Sequence, residues 1–132
     1  MHGYPENQYI WLFRDSSVVV GKTNDLDQHL TISLESGDIK CFFSLIYSKC
    51  DARLMENLSP KLSSCNPSDT PWLVGGDINL IIDVSENKGG SFGSSRDRLA
   101  FSSFMAQEGL MNLGFAGDRY TWCNNQRGRR RT

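Results

Sequence analysis

The stretch with the clearest chemical content runs from Trp72 to Asn79, where a hydrophobic segment leads to Gly75, Gly76, Asp77 and then Asn79. Residues two apart on extended backbone point to the same side, and the glycines would let a ligand approach the backbone closely. An aspartate can bind a hard cation or accept a proton from water, and an asparagine can orient its neighbours; phosphodiester cleavage uses both functions. The same pattern also fits a strand that ends in an Asx turn and has no catalytic role.

Composition limits the class of protein. The 132 residues are 39% hydrophobic and 22% charged, with a formal net charge of −1, so no whole-molecule field draws the chain to nucleic acid. This length is that of one domain. The N-terminus lacks the features of a signal peptide and no apolar run approaches a membrane span, so no membrane partner is expected. The four cysteines show no CxxC spacing and both histidines are isolated, which favours free thiols over a structural zinc site.

Strand patterns dominate the first half of the chain. Alternation of Leu30, Ile32 and Leu34 with polar residues has the period of a half-buried strand. With a turn at residues 35–38, the apolar and β-branched runs predict an antiparallel meander over 9–13, 17–20, 30–34 and 39–47. A further short buried strand is expected from Pro71 to Val74, ending at Gly75-Gly76-Asp77, with residues 80–84 as a brief continuation.

Two helices are also expected. In the first, Asp51 can act as the N-cap, and Pro60 predicts a kink or an end near Ser59. Its apolar stripe consists of Leu54, Leu58 and Leu62. The second is predicted from Arg96 to Glu108, with Gly109 as its stop and an apolar face of Leu99, Ala100, Phe104 and Met105. Residues 110–115 are expected to pack after this helix, and residues 120–122 to form one more strand.

Five stretches, in order along the chain, carry a resemblance. Residues 76–79 have the form Gly-Asp-x-Asn, and the other four are Ser44 to Tyr47, Ser85 to Gly90, Phe101 to Gly114, and Gly117 to Asn124. Together they resemble the exonuclease–endonuclease–phosphatase superfamily, in the branch of LINE-type endonucleases carried by plant non-LTR retroelements. The resemblance is densest from about Phe42 to Arg130.

This resemblance implies an α/β fold, namely part of a four-layer α/β sandwich in which two mixed sheets are flanked by helices. It implies that Asp77 holds or orients the attacking water near a Mg²⁺ or Mn²⁺ ion and serves as a metal ligand. Asn79 would hydrogen-bond the scissile phosphate and brace the aspartate, and Tyr47 would contact the phosphate through its hydroxyl. DNA is the implied partner and the nucleus the implied location. The alternative for Tyr47 is an aromatic residue of a strand that packs at an interface. For Glu86 the favoured interpretation is a loop carboxylate that caps or pairs locally.

The departures from the family are equally informative. The segments that carry the family's metal-binding Glu, its Arg-Leu-Asp-Arg stretch and its acid–base His are absent from this chain, and neither His2 nor His29 lies in a matching motif. We therefore expect one partial domain over residues 1–132, with weak or no nicking activity and a basic, disordered tail over 126–132. A non-catalytic retroelement remnant, or a nucleic-acid-binding module that uses the arginines of that tail, is the alternative.

Overall fold

The computed structural model describes residues 2–3, 10–26, 28–48, 54–89 and 95–120. This part of the chain has mixed α/β content. Its strands are β1 (His2–Gly3), β2 (Trp11–Leu12), β3 (Val19–Leu26), β4 (His29–Ser36), β5 (Ile39–Tyr47) and β6 (Trp72–Asp77); its helices are α1 (Leu54–Ser63), a 3-10 turn (Val84–Glu86) and α2 (Ser95–Glu108). The chain divides into two compact units, Met1–Asn79 and Leu80–Thr132.

The first unit contains a four-stranded mixed sheet in the order β3-β4-β5-β6. The pairs β3–β4 and β4–β5 are antiparallel, which confirms the meander for the segments predicted at 17–20, 30–34 and 39–47, and β5 pairs with β6 in parallel. The segment predicted at 9–13 is not part of this meander, because β2 pairs with β1 in a separate two-stranded sheet. Gly37, at φ 58°, and Asp38 form the turn between β4 and β5, where glycine tolerates the left-handed backbone without strain. Within the described residues, β6 has one hydrogen-bonded neighbour, so it lies at the edge of this sheet.

One face of the sheet carries the apolar core of this unit. Leu30 and Ile32 are completely buried and pack with Ile10. Because side chains alternate along a strand, the next apolar residues of β4 and β5 lie on the same face. Leu12, Val20, Leu34, Phe43 and Leu45 pack around this cluster. The alternation predicted for residues 30–34 is confirmed.

The opposite face of the sheet, which also holds the buried Ile46, carries polar side chains that hydrogen-bond one another. Thr31 and Ser44 are register partners, and their hydroxyl oxygens lie 2.7 Å apart. The indole Nε1 of Trp72 donates to Ser44 Oγ at 2.9 Å. Since Thr31 and Ser44 are both fully buried, these bonds offset the cost of removing their hydroxyls from water. The polar cluster therefore joins β4, β5 and β6 across this face.

Helix α1 continues through Pro60, so the prediction of an end near Ser59 is wrong. The proline removes the N–H that would bond the Glu56 carbonyl. Leu58 and Leu62, on either side of it, are almost completely buried. Burial of two leucines contributes about 3–6 kcal/mol, which equals or exceeds the cost of about 3 kcal/mol for a proline inside a helix. Asp51, the expected N-cap, lies outside the described residues.

The second unit begins with a 3-10 turn and not with the expected strand over residues 80–84. Asp83 accepts a hydrogen bond from the backbone N–H of Ser85, and Glu86 Oε2 accepts from the N–H of Asp83, which forms a capping box. These side-chain bonds turn the backbone before a strand can continue. Glu86 is thus a local capping carboxylate, as the favoured alternative predicted.

Helix α2 begins at Ser95, one residue before its predicted start, and Gly109, at φ 68°, ends it as expected. The predicted apolar face is partly wrong, because Leu99 is 69% exposed whereas Phe101 and Phe104 are buried. Residues on a helix are separated by about 100° each, so a face that buries Phe101 places Leu99 on the other side. The two phenylalanine rings lie 6.3 Å apart.

Residues 110–115 do not pack as predicted. Met111 and Leu113 are each 79% exposed, and Phe115 is largely exposed with the Arg119 guanidinium over its ring. A stacked cation covers part of one ring but leaves the other apolar side chains in water. Tyr120 is not in a strand, and residues 121 and 122 lie outside the described part, as does the basic stretch 126–132.

Candidate functional site

Tyr47 and Asp77 lie side by side at the carboxyl ends of β5 and β6. They are the last residues of their strands and are register partners in the parallel pair. Register partners point their side chains to the same face of a sheet, and both residues are exposed to solvent. The fold therefore places a phenol and a carboxylate together at a sheet edge where a ligand can reach them.

Ser48 ties the two strand ends together. Its backbone N–H donates to the Asp77 carbonyl at 2.9 Å, and its hydroxyl donates to the Ile78 carbonyl at 2.6 Å. The Asn79 side-chain amide donates to the Ser48 carbonyl. Ser48 is almost completely buried, so these bonds are shielded from water. Sequence reasoning missed Ser48, whose only signal is its position directly after a strand.

Contrary to the prediction from the sequence, Asp77 and Asn79 do not lie on one extended strand with their side chains on the same side. Asn79 adopts a left-handed conformation at φ 53°, and its backbone N–H donates to Asp77 Oδ1 at 3.1 Å. This is an Asx turn, as the alternative predicted, and the expected alternation of the two side chains on extended backbone is wrong. The turn does not decide whether Asp77 has a catalytic role. Asn79 contacts the aspartate through its backbone, while its side chain holds Ser48. The turn still leaves the Asp77 carboxylate at the surface.

Gly76, directly before Asp77, serves the packing of the strands, whereas a β-carbon on Gly75 would make only an ordinary van der Waals contact. A β-carbon on Gly76, which has φ 127°, would lie 2.1 Å from the Ile46 carbonyl oxygen, and one on Gly75 would touch the Phe43 ring at 3.6 Å. Gly76 therefore allows β6 to approach β5 closely. Gly76 thus has a packing reason inside the sheet, and the expectation that the two glycines let a ligand approach the backbone stays a prediction.

The side chains at the site supply only some of the ligands that a hard cation needs. Among the described residues, no group of three or more His, Cys, Asp or Glu side chains could hold a metal ion. Asp77 offers one carboxylate, which fits the way Mg²⁺ is bound through one or two carboxylates together with water and substrate phosphate oxygens. His29 pairs with Ile46 and lies on the sheet face opposite to Tyr47, so it cannot supply an acid–base imidazole here.

Several residues with expected roles lie outside the described part of the chain, namely Thr121, Trp122 and the arginines of residues 126–132. Asp83 has a pKa lowered by the hydrogen bonds from Ser85, in keeping with its capping role. No helix among the described residues is a candidate to cross a membrane. No family model, curated protein or solved structure matches this chain.

Proposed function

We propose that this chain is a fragment of a divalent-metal-dependent endonuclease domain of a LINE-type retroelement, with weak or no DNA-nicking activity in its present form. The observation that carries the proposal is the pairing of Tyr47 with Asp77 at the ends of adjacent parallel strands, within the Gly-Gly-Asp-Ile-Asn motif. In the complete domain the mixed sheet would be one of the two sheets of a four-layer sandwich.

In this proposal Asp77 would hold the metal ion and orient the attacking water. A bound Mg²⁺ or Mn²⁺ ion would neutralise charge on the phosphate and acidify that water. Tyr47 donates its hydroxyl proton in a hydrogen bond to a phosphate oxygen of the DNA. Asn79 acts as a positioning residue, because its side chain holds Ser48 and its N–H holds the Asp77 carboxylate. Its suggested contact with the scissile phosphate would require the amide to leave Ser48.

A non-catalytic remnant that binds nucleic acid is the second candidate. It is favoured by the single carboxylate at the site and by the position of His29 on the other sheet face. Loss of a general acid–base group costs a factor of about 10²–10⁴ in rate, so such a fragment could retain binding without measurable turnover.

Relaxation of supercoiled plasmid with Mg²⁺ or Mn²⁺ tests the proposal. We expect trace nicking by the wild-type chain, lost in Asp77→Ala and reduced in Tyr47→Phe. Asp38→Ala, which removes an exposed carboxylate in the β4–β5 turn, is the matched control and should retain the trace activity. Equal activity in Asp77→Ala and wild type would exclude Asp77 from catalysis. Plasmid binding that persists without any nicking, and that weakens steeply with salt, would favour the second candidate.

A further inference from the structure

A second cluster of polar side chains lies on the buried polar face of the sheet, away from Tyr47 and Asp77. Cys65, which follows α1, has its Sγ 3.6 Å from Nε2 of His29. The Asn24 side-chain amide donates to the same sulfur at 3.5 Å, and the thiol can donate to the Lys61 carbonyl at 3.4 Å. Cys65 is half-buried, whereas His29 is completely buried. The arrangement combines a half-buried nucleophile with a buried base.

His29 is suited to accept the thiol proton. Its Nδ1 is buried and has no hydrogen-bond partner among the described residues, so no second contact fixes the tautomer of the ring. Burial lowers the pKa of His29 below its ordinary value of 6.5, and the charge of Lys61 lowers it further. The ring is therefore neutral at neutral pH, which is the form that can take a proton from the neighbouring thiol. The same burial and charge oppose a lasting imidazolium, so His29 can hold the proton only during the reaction.

A hydrogen-bond donor lies beside the sulfur, and a cation lies near the cluster. The Asn24 amide directs an N–H group at Sγ, and Lys61 lies close enough to His29 for its charge to act on the imidazole. An N–H donor and a positive charge both favour the negative charge that builds up on a sulfur as it attacks a peroxide, and both disfavour a bound metal cation. The other described free thiol, Cys41, pairs with Leu34 and lies on the opposite, apolar face of the sheet.

We infer that Cys65 is a redox-modification site, at which His29 acts as the base while a small hydroperoxide oxidises the thiol. The proton of Cys65 passes to His29 Nε2 as the sulfur attacks the distal peroxide oxygen. The S–O bond forms while the O–O bond breaks, and the leaving oxygen takes the proton from His29, giving water from hydrogen peroxide. Sulfur loses two electrons, the peroxide gains two, and the product is the sulfenic acid.

Trapping of the sulfenic acid tests this inference in the full chain. Hydrogen peroxide is added with dimedone, and peptide mass mapping follows each cysteine separately. We expect Cys65 to be labelled at least about tenfold faster than Cys41 in the folded chain, given the usual size of base catalysis. In denaturant the two rates should become equal within about twofold, because that advantage depends on the folded cluster. A native ratio near one would overturn the inference without the need for any variant.

Two variants separate the roles of the neighbours. His29→Gln keeps an N–H donor but cannot take the proton, so the ratio should fall at least about fivefold. Lys61→Gln changes an exposed residue that is not expected to affect folding and should lower the ratio by about twofold. A His29→Gln protein that retains the wild-type circular dichroism and the wild-type ratio would also overturn the inference.

Discussion

Gly76 approaches the backbone of Ile46 so closely that a β-carbon there would clash with the Ile46 carbonyl oxygen at 2.1 Å. Its φ of 127° is also disfavoured for any residue with a side chain. We therefore expect Gly76→Ala to lower the free energy of unfolding by at least about 2 kcal/mol, as measured by urea denaturation.

The matched control is Gly37→Ala in the β4–β5 turn. Gly37 also has a positive φ, but a β-carbon there would meet no atom within 4 Å. Only backbone strain remains, so we expect a loss of about 1–2 kcal/mol. Equal effects of the two substitutions would show that the close approach of β6 to β5 contributes nothing to stability.

His29 makes the stability of the first unit dependent on pH. Its pKa in the folded state is lowered from 6.5 by burial and by Lys61, so below pH 6.5 the unfolded chain binds more protons than the folded chain. The free energy of unfolding is then fully retained above pH 6.5 and falls as the pH drops through 6.5 toward the lowered pKa. Urea midpoints measured from pH 8 to pH 5 should show this fall.

His29→Gln should flatten the dependence on pH in that window, because the group that titrates is gone. His2→Gln is the control, since it removes the only other histidine of the chain. Should His2→Gln, and not His29→Gln, abolish the slope, the assignment to the buried imidazole would be wrong.

At the scale of secondary-structure elements, Pro60 lowers the stability of α1. The proline is exposed, lacks the N–H that would bond the Glu56 carbonyl, and lies between buried Leu58 and Leu62. We expect Pro60→Ala to raise the free energy of unfolding by about 1–3 kcal/mol, since it restores a backbone hydrogen bond and removes the ring clash. The measurement is a thermal or urea transition followed by circular dichroism.

Asn57→Ala serves as the comparison in the same helix, because Asn57 is exposed and the change alters helix propensity alone. Its effect should stay within about 0.5 kcal/mol. A Pro60→Ala protein that is less stable than wild type would mean that the restricted unfolded state, and not the helix, determines the role of the proline.

At the scale of the whole molecule, several large apolar side chains are exposed to solvent. Met111, Leu113 and Phe115 are exposed in the second unit, and Leu73 is 43% exposed on β6, an edge strand among the described residues. The free energy of unfolding of a domain is only about 5–15 kcal/mol. Each apolar side chain that stays exposed fails to contribute the roughly 1.5–3 kcal/mol that its burial would add. We expect the chain alone to be marginally folded and prone to aggregation, as measured by light scattering and thermal denaturation.

Leu73→Lys should reduce aggregation, because a charge on an edge strand opposes pairing between chains. Thr70→Lys adds the same charge just before β6 and should have less effect. A wild-type monomer with one sharp transition well above room temperature would contradict this prediction.

The sequence by itself determined several of the local elements. Alternating apolar residues predicted β4, the run from Ile39 to Tyr47 predicted β5 with its exact bounds, and Gly109 predicted the end of α2. These features depend on spacing and on the preferences of single residues, which do not require knowledge of distant neighbours. The mixed α/β content followed from the same patterns.

Only the tertiary structure decided which residues meet. The parallel pairing of β5 with β6 brings Tyr47 to Asp77 and makes Ser48 the link between them, and burial of Leu58 and Leu62 carries α1 through Pro60. His29 and Cys65 are 36 residues apart, so their contact has no local signature. Such contacts depend on the sum of burial and hydrogen bonding over the whole unit, which outweighs the local preference of any one residue.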